Sequence, residues 1–334
     1  MSLQILGLGT ALATTPLDNN FLHEEVGLEK SPDWCESRLG IDLRYTSLSK
    51  EYLRETKNAD PDKAIALARQ NGQTPVTLGV QAAREALQKA GVSPQQVGWV
   101  IAACDTVFDN VPNTATRIAQ ALGVGSGPHT DMNSACSSFA LHAKVLADMR
   151  EERVPEFVLC VQTSCYTTRV DYSAHSVDGY ILGDGASAQV FSTRHPGRLL
   201  VEPLIFGTRP EAADEITLNM SAYFNQNGSA VRAFSIRKSC EMYERVAEIK
   251  GLYAESVYTV GHQANLIMQK SIVDHLNLPM ERHLTNVRAQ GNIAAAGCPS
   301  VLAQKLDSLK KGDQIVYAVL GAGLAWGGGY MEVL

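Results

Sequence analysis

The chain has 334 residues, 45% of them hydrophobic, and a formal net charge of −6. That is enough apolar material for a large core, and no Lys/Arg-rich run offers a nucleic-acid surface. No apolar run is long enough to span a membrane, and the start lacks a basic segment ahead of an apolar one, so a cytoplasmic protein is expected.

Residues 3–12 are apolar and punctuated by glycine, which reads as a buried strand. Residues 16–30 read as polar and irregular. Ser31-Pro32-Asp33-Trp34 opens a short helix, with Ser31 as N-cap and Pro32 in the first helical position. It ends near Gly40, flanked by Arg38 and Arg44. Residues 51–71 are charged and read as surface helix and loop. Residues 77–90 are amphipathic: Leu78, Ala82, Ala86 and Leu87 form the stripe and Gly91 stops it. Residues 97–103 are all apolar, as expected of a central strand covered on both faces. A helix over 114–122 ends at Gly123.

Asp131-Met132-Asn133-Ser134-Ala135-Cys136 then leads into a helical pattern carrying Phe139, His142, Val145, Leu146 and Met149. Residues 157–162 read as a strand, Gly183-Asp184-Gly185 as a turn, and 186–191 as a strand. The order then repeats. Strands are expected over 199–206, 257–260, 315–320 and 329–333. Helices are expected over 234–250, 266–276 and 292–309, the last with a polar start. Laid over each other, 97–103 matches 257–260 and the Cys136 helix matches the Asn292 helix. Likewise 157–162 matches 315–320, and 186–191 matches 329–333. Two related α/β halves, 1–195 and 196–334, are expected, each with a mixed sheet.

Seven cysteines (Cys35, Cys104, Cys136, Cys160, Cys165, Cys240 and Cys298) lie mostly in apolar segments, so reduced thiols are expected rather than a disulfide framework. No cysteine or histidine cluster has metal spacing. Cys136 is set among small residues near a helix N-terminus, where unpaired N–H groups and the helix dipole favour a thiolate. A free cysteine is equally a small buried hydrophobe. His262 follows an apolar strand in Gly261-His262-Gln263-Ala264-Asn265, the kind of strand end where α/β folds place sites. Asn292 follows Gly291; alone it reads as an N-cap. His23, His195, His275 and His283 stand in polar or terminal contexts and are expected at the surface, and His142 in the core.

Taken in order, Trp34, Arg38-Leu39-Gly40-Ile41, Ala135-Cys136, Gly183-Asp184-Gly185-Ala186, Gly261-His262-Gln263-Ala264-Asn265, Gly291-Asn292, Gly321-Ala322-Gly323 and Trp326-Gly327 form one pattern. In it the chain resembles, from end to end, the β-ketoacyl-carrier-protein synthase III family of the thiolase superfamily. The resemblance implies the duplicated thiolase-like fold in five αβαβα layers and a homodimer. It implies a Cys136–His262–Asn292 site with an oxyanion hole on the backbone N–H groups of Cys136 and Ala322. It also implies coenzyme A or acyl-carrier-protein thioesters as substrates, with no metal or redox cofactor. Trp34 and Arg38 are the expected carrier-binding residues.

Two positions depart from the pattern. Ser176 or His175 stands where many members carry an adenine-binding arginine. Leu266-Ile267-Met268 stands where a carrier-docking arginine often lies. Both favour a specialised pathway enzyme. Val111 falls near where the partner subunit places an aromatic in the acyl pocket, so a longer or bulkier acyl group is expected. The expected reaction is a decarboxylating condensation of an acyl-Cys136 thioester with a malonyl-type thioester. The alternatives are acyl transfer to an oxygen or nitrogen nucleophile, and a non-catalytic partner subunit. Gly321-Ala322-Gly323 lacks a second cysteine, which speaks against a thiolase.

Overall fold

The computed structural model describes residues 2–219, 222–253 and 257–334. Strands β1 (Leu3–Leu12), β2 (Thr15–Asp18) and β3 (Leu43–Thr46) come first, with helices α1 (Pro32–Arg38), α2 (Lys50–Thr56), α3 (Pro61–Gln70) and α4 (Pro75–Ala90). Then follow β4 (Val97–Ala103), α5 (Thr114–Leu122), β5 (Thr130–Asp131), α6 (Ser138–Asp148), β6 (Phe157–Cys165), α7 (Asp178–Ile181) and β7 (Asp184–Ser192). The second series is β8 (Leu199–Gly207), β9 (Ile216–Thr217), β10 (Asn225–Gln226), α8 (Gly228–Lys250), β11 (Tyr258–Gly261) and α9 (Leu266–His275). It closes with β12 (His283–Leu284), α10 (Val287–Gln290), α11 (Gly297–Lys305), β13 (Gln314–Gly321) and β14 (Ala325–Val333).

The pairing repeats itself. One run of five strands is ordered β1-β7-β6-β4-β5, the other β8-β14-β13-β11-β12. In each, the pairs among the last three strands are parallel and the other two are antiparallel. A short antiparallel pairing of β1 with β8 joins them. Helices α6 and α11 lie between the two sheets. The α6 helix packs on β6, β8 and β14, and α11 on β1, β7 and β11. Phe139, Ala143 and Leu146 of α6 share one core with Val301 and Leu302 of α11 and with inward strand residues such as Ile5, Val158, Val260 and Tyr317. The α4–α5 layer covers the outer face of one sheet and α8–α9 that of the other. This is the five-layered arrangement.

Local chemistry explains why these elements form. Thr74 caps α4 in a capping box, Pro75 starts it, and Gly91 ends it at φ 65°. Two glycines let α4 settle onto β1. A Cβ on Gly7 would meet the Ala86 carbonyl oxygen at 2.2 Å, and one on Gly9 the Ala82 carbonyl oxygen at 2.1 Å. No side chain fits there, so the helix rests directly on the strand backbone.

Several expectations need correction. Residues 16–30 are not simply polar and irregular. They contain β2 and a wide helical turn over Phe21–Val26, with Leu17, Phe21, Leu22, Val26 and Leu28 buried. Pro16, Asn19, Asn20 and Gly27 punctuate the stretch like a loop and hide its apolar spacing. Arg44 is fully buried and donates to the carbonyls of Leu17, Ile41 and Tyr180, with burial pulling its pKa down to about 10. Asp184 and Gly185 belong to β7, not to a turn. Asp184 is buried and accepts from the N–H groups of Ser47 and Thr167. His283 is buried, not at the surface, and its Nδ1 meets Thr259 Oγ1 at 2.9 Å. The helix expected over 292–309 is broken. A tight turn at Ala294–Ala296 precedes α11, and another at Leu306–Ser308 follows it. His142 is in the core, as expected.

Candidate active site

A cavity of about 510 Å³ opens where the ends of β6, β11 and β13 approach the starts of α6 and α11. Its wall contains all six residues singled out from the sequence: Trp34, Arg38, Cys136, His262, Asn292 and Ala322. Ile216, Phe224, Val231 and Phe234 from the second half make much of the remaining wall apolar. Tyr166 and Phe224 meet edge to face, with ring centroids 5.5 Å apart.

Cys136 sits two residues ahead of α6 in a tightly bonded turn. Ala135, just before it, takes φ 46°, a left-handed conformation that a non-glycine residue adopts only when held. Its N–H donates to Asn133 Oδ1 at 3.0 Å. Ser138 N–H donates to the Ala135 carbonyl and Ser137 N–H to the Ser134 carbonyl. From the other half, Gly321 presses on this turn. A Cβ there would lie 2.5 Å from the Ser134 carbonyl oxygen and 2.9 Å from the Cys136 nitrogen.

The helix N-terminus does not yield the expected resting thiolate. Burial pushes the Cys136 thiol well above its ordinary pKa, and the nearby Asp105 carboxylate pushes it further. Desolvation penalises the charged form more than the helix end favours it. Of the seven cysteines, Cys136 is nevertheless the one that is only partly buried.

His262 follows β11 directly. Its N–H donates to the Ala318 carbonyl at 3.1 Å, and its own carbonyl accepts from Gln269 Nε2 at 3.3 Å. Burial pulls its pKa down to about 4, so the ring is neutral at pH 7. Its Nδ1 is buried and has no partner among the described residues. The backbone of Asn292 is pinned on both sides: its N–H donates to the Ile181 carbonyl, and its carbonyl accepts from Gly183 N–H. Its Oδ1 accepts from Ala294 N–H at 2.9 Å. The side-chain oxygen is therefore occupied, and the NH₂ end is unengaged among the described residues.

At the mouth, Ser31 caps α1 by accepting from Trp34 N–H, and Lys30 lies over the Trp34 ring at 5.6 Å. Arg38 and Arg232 line the cavity, are exposed, and have no ion-pair partner among the described residues. Arg232, Asp178 and Gln226 were missed in the sequence. They lie in α8, α7 and β10 respectively, where neither residue type nor spacing marks them in the sequence. Val111, flagged near the acyl pocket, is 85% exposed. His175 pairs with Glu29 at 2.9 Å. Among the described residues no helix is long and apolar enough to cross a membrane.

Comparison with known proteins identifies the family and the fold. Residues 130–203 match the 3-oxoacyl-[acyl-carrier-protein (ACP)] synthase III family, and residues 249–333 match its C-terminal region. The β-ketoacyl-[acyl-carrier-protein] synthase III of Synechocystis is 30% identical, covering 97% of this chain and 96% of that one. The protein of the same name from Rubrobacter xylanophilus is also 30% identical, over 97% of this chain and 96% of its own. The crystal structure of 3-oxoacyl-(acyl carrier protein) synthase III from Pseudomonas aeruginosa superposes with a TM-score of 0.84 at 25% identity, covering 100% of this chain and 98% of that one. The chain belongs to the β-ketoacyl-[acyl-carrier-protein] synthase III family of condensing acyltransferases.

Proposed function

We propose that the protein loads an acyl group on Cys136 and condenses it, with decarboxylation, with a malonyl-type thioester. The observation that carries the reading is one cavity that gathers Cys136, His262 and Asn292, with the Asn292 oxygen tied back and its NH₂ end unengaged among the described residues. In the first half-reaction the Cys136 sulfur attacks the carbonyl of an acyl thioester. The neutral His262 ring is available to take the thiol proton, and the displaced thiol leaves with a proton. The N–H groups of Cys136 and Ala322 hold the oxyanion.

In the second half-reaction the carboxylate of the malonyl group departs as carbon dioxide. The electron pair of the broken C–C bond becomes an enolate on the thioester. His262 and Asn292 donate to its oxygen; a neutral imidazole and a neutral amide donate without adding charge. The enolate carbon attacks the acyl-Cys136 carbonyl, the C–S bond breaks, and a 3-ketoacyl thioester is released. Coenzyme A or phosphopantetheine thioesters are the substrates of this reading, and neither a metal nor a redox group enters it. Trp34 and Arg38 at the mouth would hold the carrier end. A homodimer belongs to the same reading, with the exposed Val111 facing the partner.

Intact-mass spectrometry with a panel of acyl-CoA and acyl-carrier donors tests this. The parent gains the acyl mass, Cys136→Ala does not, and Asn292→Ala gains it but releases no carbon dioxide from malonyl donors. Acylation persisting in Cys136→Ala would refute the mechanism. Acylation followed by product release without decarboxylation in the parent would assign acyl transfer instead.

A further inference from the structure

Asp105 follows the end of β4, beside the nucleophile, and the mechanism above does not use it. Tyr166, which lines the cavity with Cys136, donates from its hydroxyl to Asp105 Oδ2 at 2.9 Å. Burial raises the pKa of this carboxyl, and the Asn133 and Tyr166 side chains offset part of that rise by favouring its charged form. Asn133 also donates to the Cys104 carbonyl at 3.3 Å, the residue next to Asp105. Through its Oδ1 it accepts from Ala135 N–H and from Ser138 Oγ. Polar contacts thus run from the cavity wall at Tyr166 to Asp105, and from the neighbouring Cys104 carbonyl through Asn133 to the left-handed residue that precedes Cys136.

We propose that Asp105 is a positioning residue that, together with Tyr166 and Asn133, holds the Cys136 turn and sets a negative charge beside the sulfur. This rests on the reading of Cys136 as nucleophile. A carboxylate next to a thiol opposes a second negative charge there. Cys136 then rests as a thiol, shielded from adventitious electrophiles, and gives up its proton only when a thioester is in place. The titratable groups around Cys136 fit this division. Asp105 and Cys104 come from the end of β4, Tyr166 from the segment after β6, and His262 from the end of β11. Arg38, Asp178 and Arg232 line more of the same cavity.

The test is the pH dependence of Cys136 alkylation by iodoacetamide, with the site located by peptide mass spectrometry. Asp105→Asn keeps the shape and an acceptor for Tyr166 but removes the charge. It is expected to alkylate about tenfold faster than the parent near pH 8, with the profile moved about one unit to lower pH. Asp105→Glu is expected to restore the slow profile. Profiles of parent and Asp105→Asn that coincide within twofold overturn the proposal. Tyr166→Phe keeps the ring and removes the donor, and it is expected to slow acyl loading about tenfold without moving the melting temperature by more than a few degrees. Unchanged loading overturns the positioning role. Alkylation needs no thioester, so a protein that no donor acylates would refute the proposed function and leave this charge effect measurable.

Discussion

The turn ahead of α6 and the turn ahead of α11 are built alike and used differently. In each, an asparagine Oδ1 accepts from the N–H two residues on: Asn133 from Ala135 at 3.0 Å, Asn292 from Ala294 at 2.9 Å. In each, that second residue is an alanine with positive φ, 46° in one and 53° in the other. In each, a helix starts three residues later, at Ser138 and at Gly297. The residue after the alanine is Cys136 in the first turn and Ala295 in the second. The two asparagine amides also part ways. Asn133 donates to the Cys104 carbonyl, whereas the NH₂ end of Asn292 stays unengaged among the described residues. One copy of the motif carries the cysteine proposed as nucleophile, and the other leaves free the amide proposed as donor. The repeated fold presents the same turn geometry twice, and the two copies differ in a few side chains.

The buttresses differ too, and they give the sharpest way to break the comparison. The end of β13 supports the first turn through Gly321, which leaves no room for a side chain. The end of β6 supports the second through Ser164, whose hydroxyl approaches the Ile293 carbonyl at 3.5 Å. Gly321→Ala places a methyl 2.5 Å from the Ser134 carbonyl oxygen. That contact is against backbone, so the nucleophile turn must shift. A displacement near 1 Å at a reacting group costs on the order of 10²-fold in rate. Acyl loading measured by intact mass is expected to fall by about that factor. Ser164→Ala removes one long hydrogen bond and is expected to leave loading within about threefold of the parent. Equal losses in the two variants would show that the turns are not supported as described.

A smaller effect should separate the two asparagines. Asn133→Ala unmakes bonds to Ala135, Ser138 and Cys104, and Asn292→Ala unmakes one bond, to Ala294. An orphaned buried backbone group costs roughly 1–3 kcal/mol. Asn133→Ala is therefore expected to lose more stability in urea unfolding than Asn292→Ala, by about 1–2 kcal/mol. Asn292→Ala is the one expected to lose decarboxylation. If Asn292→Ala proves the less stable protein, the assignment of one asparagine to structure and the other to chemistry fails.

Much of this was legible in the sequence. Buried strands such as β4 and β6 show as continuous apolar runs because both faces are covered. The caps Ser31, Gly91, Gly123 and Gly251 mark helix ends through chemistry that is local. The positions of Cys136, His262 and Asn292 were readable because each follows a strand or opens a helix in a repeated order. What stayed hidden depends on contacts between distant segments. Arg44 looks like a surface charge until the carbonyls of Leu17, Ile41 and Tyr180 surround it. Asp184 sits in a turn-like triplet whose role appears only when Ser47 and Thr167 donate to it. The resting state of the Cys136 sulfur was misread for the same reason. Helix position is local, but burial and the Asp105 charge come from the fold.

Acid should set the two halves apart in a last and smaller way. Burial pulls His142, His262 and His283 down to about 4. Unfolded, each would titrate near 6.5. Between about pH 6.5 and 4 the unfolded chain therefore binds protons that the folded chain refuses. Stability contributed by the neutral rings is present above about 6.5 and is lost as pH falls toward 4. Asp184 acts with the opposite sign. Burial raises it to about 6, so below that value the folded chain takes up a proton the unfolded chain does not hold until near 4. Burial raises Asp105 and Asp178 as well, so three carboxyls offset part of the loss from the three histidines, which is roughly 1–3 kcal/mol per uncompensated histidine by the foot of the window. The melting temperature should fall steadily from about pH 7 to about pH 5. Two of the three histidines lie at the β11–β12 edge of the second sheet, His262 just after β11 and His283 in β12. The matching β4–β5 edge of the first sheet carries no such buried ring among the described residues. Hydrogen exchange should thus show β11 and β12 losing protection on acidification before β4 and β5. Loss in the reverse order would mean that something other than these neutral imidazoles governs how the fold opens.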